Sequence, residues 1–381
     1  MKRTLLVTID FPPSIGGVAN YWSNLARHMP ANDFVVLAND MENTIDFDMK
    51  QSYLIYRKNL ISKNRWIWPK WVNLLYHTYK IIKQENIENV IVTHVLPCGT
   101  VAYLLKKILK IDYFVSLHGL DISNAAKTAK KRKLAKKVLR GAKAIIVNSQ
   151  FTADLLKRKL GCIKCSVNVN IIHPCPNIVY RKIDEEKLDS FVKDSNLSGK
   201  RMILTVSRLI ERKGHDMVLH AMQKVINRFP DLVYAIVGKG PQEKKLKELT
   251  SSLNLKNNVK FFSDIQDNEL PYFYKASDLF IMPTRELEDG DIEGFGIVYL
   301  EANSFGKPVI AGSAGGAVEA VVHNSTGLVV GPENVNEIAQ GIISLLTNKD
   351  RAYRMGDQGI RRVEDGFTWD RQGGKLEKLL G

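Results

Sequence analysis

Short runs of apolar, β-branched and aromatic residues recur along this 381-residue chain, and most are followed by a longer stretch with helical spacing. In the first half the runs are Thr4–Ile9, Phe34–Ala38, Tyr53–Tyr56, Val90–Thr93, Tyr113–Leu117, Ala144–Asn148 and Val169–Ile172. A charged stretch at 180–200 lacks strand character, after which Met202–Val206, Leu232–Val237, Val259–Phe262, Leu279–Met282 and Pro308–Ala311 follow. Most runs are continuously apolar, as strands covered on both faces must be, whereas a strand with one wet face alternates. Strand then helix, repeated, predicts parallel sheets with crossover helices. Val18, Trp22, Leu25 and Met29 follow Gly16-Gly17, and Val218, Met222, Val225 and Phe229 follow Gly214. The shared spacing predicts one buried stripe on each helix. The pattern is that of an α/β protein: two doubly wound, Rossmann-like parallel-sheet domains facing a cleft, with ligands beyond the carboxyl ends of the strands.

A chain of this length exceeds what one hydrophobic core usually supports, which agrees with two domains. With 45% hydrophobic and 25% charged residues, general disorder is excluded. The 55 Lys and Arg against 40 Asp and Glu leave a net charge of +15, which favours anionic partners. No apolar stretch is long enough to span a bilayer. The opening MKRTLLVTIDFPP loses its apolar run at Asp10, so it reads as a first strand and not as a signal peptide. Four cysteines make no disulfide scaffold, and the expectation is a cytoplasmic protein with reduced thiols.

Candidate chemistry lies in the loops after the strands. Gly16 and Gly17 directly precede a helix, whose N-terminal amides suit an anion; a plain tight turn is the alternative. Neither this pair nor the Gly238-Lys239-Gly240-Pro241 turn forms G-x-G-x-x-G, which speaks against a dinucleotide oxidoreductase. Arg208 and Lys213 stand between a strand and a helix, where a planar fork and a point charge can clamp a diphosphate; a solvated basic loop is the alternative. Glu293 precedes Gly294, Phe295 and Gly296, and Glu301 follows on a helix. Two such carboxylates can line one pocket and accept hydrogen bonds from sugar hydroxyls; a charged helix start is the alternative reading. His118 follows a strand and precedes Gly119 and Asp121, so it can reach a ligand; a structural histidine is the alternative reading.

Cys162, Cys165, His173 and Cys175 have the ligand count for zinc but match no common module, and a buried-cysteine reading is favoured. Lys127 to Lys143 holds nine basic residues and no acid, which points to an anionic membrane surface. Trp66, Trp68 and Trp71, among Lys63, Arg65 and Lys70, could insert at the headgroup level. No nucleic-acid recognition motif accompanies the charge.

Taken in order, FPPSIGGVANY, HGLD, VNSQ, SRLIERKG, IVGKGP, the E-x7-E from Glu293 to Glu301 and AGSAGGAVEAV resemble the fourth family of retaining glycosyltransferases. The likeness spans nearly the whole chain, and DIEGFGIVYLEA is most similar to the phosphatidylinositol mannoside mannosyltransferases and their relatives. The resemblance implies the GT-B fold, with an acceptor-binding domain at 1–178, a donor-binding domain at 179–366 and a helix at 367–381 returning to the first domain. It implies transfer of a hexose, mannose favoured, from a nucleoside-diphosphate sugar to an acceptor. The basic run and the tryptophans suggest that the acceptor is lipid-linked or a glycan at the membrane surface, with the protein peripheral on the inner face of the cell membrane. GDP-mannose is the favoured donor and a UDP-sugar the second choice, with no cofactor required. Arg208 and Lys213 would hold the diphosphate, Gly16 and Gly17 would face a phosphate, and Glu301 would take the ribose hydroxyls. Glu293 would take the sugar hydroxyls, with the backbone of Gly294, Phe295, Gly296 and Ile297 on sugar and phosphate and His118 beside the sugar. The loop Ser263–Ile265, with Gly238, would frame the base. Relatives often carry HG-x-E where this chain has HGLD, which leaves Asp121 without an assigned role. Asp289-Gly290-Asp291 lies in the sugar loop, and no metal is expected there. A GT-B nucleotide-sugar epimerase and an inactive nucleotide-sugar-binding protein are the alternatives.

Overall fold

Thirteen strands are present in the computed structural model, which describes residues 1–14, 16–62, 64, 66, 68–161, 167–180 and 183–381. The first seven are β1 (Thr4–Thr8), β2 (Phe34–Asn39), β3 (Leu54–Lys58), β4 (Asn89–Val92), β5 (Asp112–Leu117), β6 (Ala144–Val147) and β7 (Asn168–Ile171). They form one parallel sheet in the order β3-β2-β1-β4-β5-β6-β7. The next six are β8 (Met202–Val206), β9 (Val233–Val237), β10 (Val259–Phe262), β11 (Leu279–Met282), β12 (Val309–Gly312) and β13 (Gly327–Val330). They form a second parallel sheet in the order β10-β9-β8-β11-β12-β13. Twelve of these fall within two residues of a run read from the sequence. The thirteenth, β13, was missed: GLVV is short, opens with a glycine and is followed by another, and its pairing with β12 (Ile310 opposite Leu328) is what makes it a strand.

The chain divides into two compact units: 1–174 with 369–381, and 175–368. In the first unit, Leu5 and Val7 enter one core with Val35, Val90 and Val92, while Leu6 enters another with Trp22, Phe34, Val36 and Ile91. This two-sided burial is the physical reason the strands read as continuously apolar. Each Leu or Val so buried contributes about 1.5–3 kcal/mol relative to exposure. The helix Gly17–Arg27 lays Trp22 and Leu25 into the second of these cores, joined by Leu376 and Leu380 of the terminal helix Trp369–Leu380. In the second unit, the helix His215–Val225 buries Val218, Met222 and Val225, with Phe229 just beyond it.

Both sheets change direction at their first strand. β1 pairs with β2 on one side and β4 on the other, and β8 pairs with β9 and β11. At such a switch point the adjoining loops diverge and leave room for a ligand.

Candidate functional site

In the second unit, β8 ends at Val206 and the chain runs through Ser207 and Arg208 to a single 3-10 turn, Glu211–Lys213. Gly214 then takes a left-handed conformation and the helix His215–Val225 begins. Lys213 Nζ lies 2.5 Å from Glu293 Oε2, and Arg212 NH1 lies 2.6 Å from the same oxygen. Arg212 Nε also reaches Asp291 Oδ2 at 3.1 Å. The side chains of Arg212, Lys213 and Glu293 are largely buried. Burial alone would raise the Glu293 carboxyl, but Lys213 and Arg212 overcome it and hold the pKa at about 2. Lys213 is pulled down by burial and by the charges of Arg212 and Arg208, against the attraction of Glu293. Arg208 is exposed, and among the described residues no carboxylate lies within ion-pair distance of it. The structure therefore brings Lys213 and Glu293 into contact within the field of Arg208. It adds Arg212, which the sequence reading passed over because its partners lie about eighty positions away.

Glu301 is placed differently. It sits on the helix Ile297–Ser304 and is buried, accepting from Tyr274 Oη at 2.8 Å and from the Asn177 backbone N–H at 3.3 Å. Burial raises its pKa, and these donors pull the other way. Its hydrogen-bond partners are thus separate from those of Glu293. The Gly294–Ile297 segment forms the N-terminus of that helix, with the Phe295 ring buried against Phe367 and Gly296 left-handed before the first turn. The Glu293 carbonyl accepts from the Gly316 amide at 2.8 Å, and a Cβ on Gly316 would meet the Gly294 carbonyl oxygen at 2.1 Å. That close approach is a physical reason for the small residues of AGSAGGAVEAV.

Gly238 follows β9 with φ of +135°, and a Cβ there would lie 2.1 Å from the Ser207 carbonyl oxygen. Its glycine is explained by packing within the unit. Ser263 and Ile265, after β10, are half-buried, and Asp264 between them pairs with Lys239.

In the first unit Gly16 and Gly17 stand at the start of the helix Gly17–Arg27, and a Cβ at either would meet nothing within 4 Å. Packing does not demand glycine here, and the open space leaves the amides approachable. His118, after β5, is partly buried; its Nε2 is 3.0 Å from Ser116 Oγ, and its ring meets Tyr21 edge-on at 5.2 Å. Burial, then the charge of His94, pushes its pKa down to about 3, so the ring is neutral. Asp121 acquires a role: its Oδ1 accepts from the His118 and Gly119 backbone N–H groups, each at 3.0 Å, and so fixes the loop. The sequence reading missed Asp10 and His94, which pair at 3.3 Å after β1 and β4. Burial opposes a charge on His94, but Asp10 and then Cys98 raise its pKa to about 10.

Among the described residues no group of three or more His, Cys, Asp or Glu could hold a metal. Cys162 and Cys165 lie outside the described residues; His173 Nδ1 lies 3.3 Å from the Asn148 carbonyl oxygen, and Cys175 is buried. The basic run forms the helix Ala129–Gly141, which buries Ala135, Val138 and Leu139 and exposes most of its cations. Trp66 and Trp68 are 91% and 87% exposed, but Trp71 packs on the core and is not free to insert elsewhere. Lys63 and Arg65 lie outside the described residues. No helix among the described residues is long and apolar enough to cross a membrane.

Residues 187–362 match the family model of glycosyl transferases group 1, and residues 15–175 match that of glycosyltransferase family 4. The chain is 30% identical to the GDP-mannose-dependent monoacylated alpha-(1-6)-phosphatidylinositol monomannoside mannosyltransferase of Corynebacterium glutamicum, covering 100% of this chain and 98% of that protein. It is 28% identical to the GDP-mannose-dependent alpha-(1-6)-phosphatidylinositol monomannoside mannosyltransferase of Mycobacterium tuberculosis, over 100% of this chain and 98% of the relative. Among solved structures, a glycosyltransferase from Rickettsia africae superposes with a TM-score of 0.83 at 22% identity, covering 99% of this chain and 97% of the other. Anabaena HepE in complex with UDP gives 0.83 at 18% identity, covering 100% and 99%.

Proposed function

For this chain, which belongs to the group 1, family 4 glycosyltransferases, we propose retaining transfer of mannose from GDP-mannose to a lipid-linked or glycan acceptor at a membrane surface. The carrying observation is the cluster in which Arg212 and Lys213, from the loop after β8, meet Glu293 from the segment after β11, in the field of Arg208. Breaking the bond between the anomeric carbon and the diphosphate builds negative charge on the departing oxygen. Fixed cations in a partly buried site stabilise that charge without reorganising. Lys213 and Arg208 are assigned to the diphosphate, and Arg212 holds Glu293 ionised for the sugar hydroxyls. As the acceptor oxygen bonds to the anomeric carbon, its proton passes to a donor phosphate oxygen, so no separate protein base is needed.

Glu301 is assigned to the ribose, the Ser263–Ile265 backbone and Gly238 to the surroundings of the base, and the Gly294–Ile297 backbone to sugar and phosphate. In the first unit, which we assign to the acceptor, the amides at Gly16 and Gly17 serve a phosphate oxygen and neutral His118 serves the sugar. The second unit is assigned to the donor. The names of the mannosyltransferase relatives support GDP-mannose and a lipid-linked acceptor. The exposed cations of the helix Ala129–Gly141, with exposed Trp66 and Trp68, support a peripheral position on the inner face of the cell membrane.

A thermal-shift screen of nucleoside diphosphates tests the donor. GDP at one hundred times its Kd would add about 2.7 kcal/mol to stability. GDP should raise the melting temperature more than UDP, and a chain stabilised by neither would overturn the proposal.

A further inference from the structure

Arg285 belongs to none of the roles assigned above, yet it is a buried cation (7% exposed) in the segment that follows β11. Its guanidinium forks onto one carboxylate: NH1 to Asp216 Oδ1 at 3.1 Å and NH2 to Asp216 Oδ2 at 3.0 Å. NH2 also lies 3.6 Å from Glu211 Oε1. Its backbone N–H donates to the Arg212 carbonyl oxygen at 2.9 Å. Glu211 and Asp216 stand immediately before and after the stretch Arg212–His215, so a single arginine grips the turn at both ends and at its middle. The same turn is tied a second time, since His215 Nε2 lies 3.0 Å from Ser207 Oγ. Burial first, then the charge of Lys213, pushes the His215 pKa down to about 3, so this second tie is a neutral one.

Resting on the diphosphate role proposed for Lys213, we infer that Arg285 is a positioning residue for it. Arg285 does not reach the anion with a free charge, because Asp216 and Glu211 already engage its guanidinium. It acts by fixing the Glu211–Lys213 turn, so that Lys213 needs no reorganisation when the diphosphate arrives. A bidentate fork sets angle as well as distance, which a single ammonium on a flexible stem cannot do. Small displacements of a fixed charge are costly in such a site, on the order of a hundredfold in rate for about 1 Å.

The test uses Arg285→Lys, which keeps the charge and loses the fork, and Asp216→Asn, which keeps the shape and weakens the fork from the other side. Binding of GDP and of guanosine is measured by calorimetry on wild type and both variants, with turnover alongside. The expected result is GDP affinity reduced about tenfold in both, the loss of one charge-assisted hydrogen bond, with guanosine affinity unchanged. Wild-type GDP affinity and turnover in either variant would overturn the inference. Equal loss of GDP and guanosine binding would also overturn it, since that is the signature of a generally loosened domain. Wild-type protein that binds no GDP would overturn the donor reading together with the inference. Wild-type binding with unaffected variants would remove the inference alone.

Discussion

Glu293 holds its negative charge between two cations from one short turn, and that arrangement has a pH signature. Its pKa falls from 4.5 to about 2 on folding, so the stability it contributes is full above about pH 4.5. That contribution is lost as the pH falls from there through about 2. Glu293→Gln should weaken the fold at neutral pH yet remove this acid-dependent component, as measured by denaturant titration across the range. His94 behaves oppositely. Its pKa rises from 6.5 to about 10, so its contribution is complete below about pH 6.5 and gone once the pH passes about 10. His94→Gln should therefore destabilise most near pH 6 and least above about pH 10. Lys213→Ala leaves Glu293 paired with Arg212, so the chain should still fold while turnover drops by at least about a hundredfold. Equal turnover would remove Lys213 from the site. Glu293 and Lys213 were legible as candidates from spacing; their mutual contact, and the parts of Arg212, Asp10 and His94, were not. Those partners are set by which loops the sheet places side by side.

Two glycine positions separate a packing requirement from a position where packing imposes none. Gly238→Ala meets the Ser207 carbonyl from a positive φ and should cost about 1–3 kcal/mol in a thermal melt. Gly17→Ala meets nothing and sits in the first turn of a helix, so stability should hold or rise by up to about 1 kcal/mol. If Gly17 serves a phosphate, donor or acceptor binding falls all the same, which a binding titration on the intact variant reads. Most strands were visible as apolar runs because both faces of each sheet are covered. β13 was not, because three apolar residues between Gly327 and Gly331 carry too little pattern, and only pairing with β12 defines the strand.

The chain returns to its first unit at the end. Leu376 and Leu380 share a core with Trp22 and Leu25, and the Asn89 side-chain N–H donates to the Leu380 carbonyl at 2.9 Å. Deleting 369–381 should therefore destabilise the first unit selectively, with hydrogen exchange rising in β1, β2 and β4 and little changed in β8–β12. The basic helix makes a prediction at the same scale. Neutralising the cations between Lys130 and Lys137 should abolish binding to anionic liposomes at low salt, and a wild-type chain that ignores such liposomes would end the membrane proposal.

Strand and helix order, the parallel α/β class and the family motifs were determined by local pattern, because periodicity and turn chemistry act over a few residues. The tertiary structure decided the rest: that Glu301 answers to Tyr274 and not to Glu293, that Arg212 and Lys213 share Glu293, and that Arg285 grips the turn bearing Lys213. These are contacts between side chains that only the packing of distant segments brings within hydrogen-bond range, and such distances leave no period in a sequence.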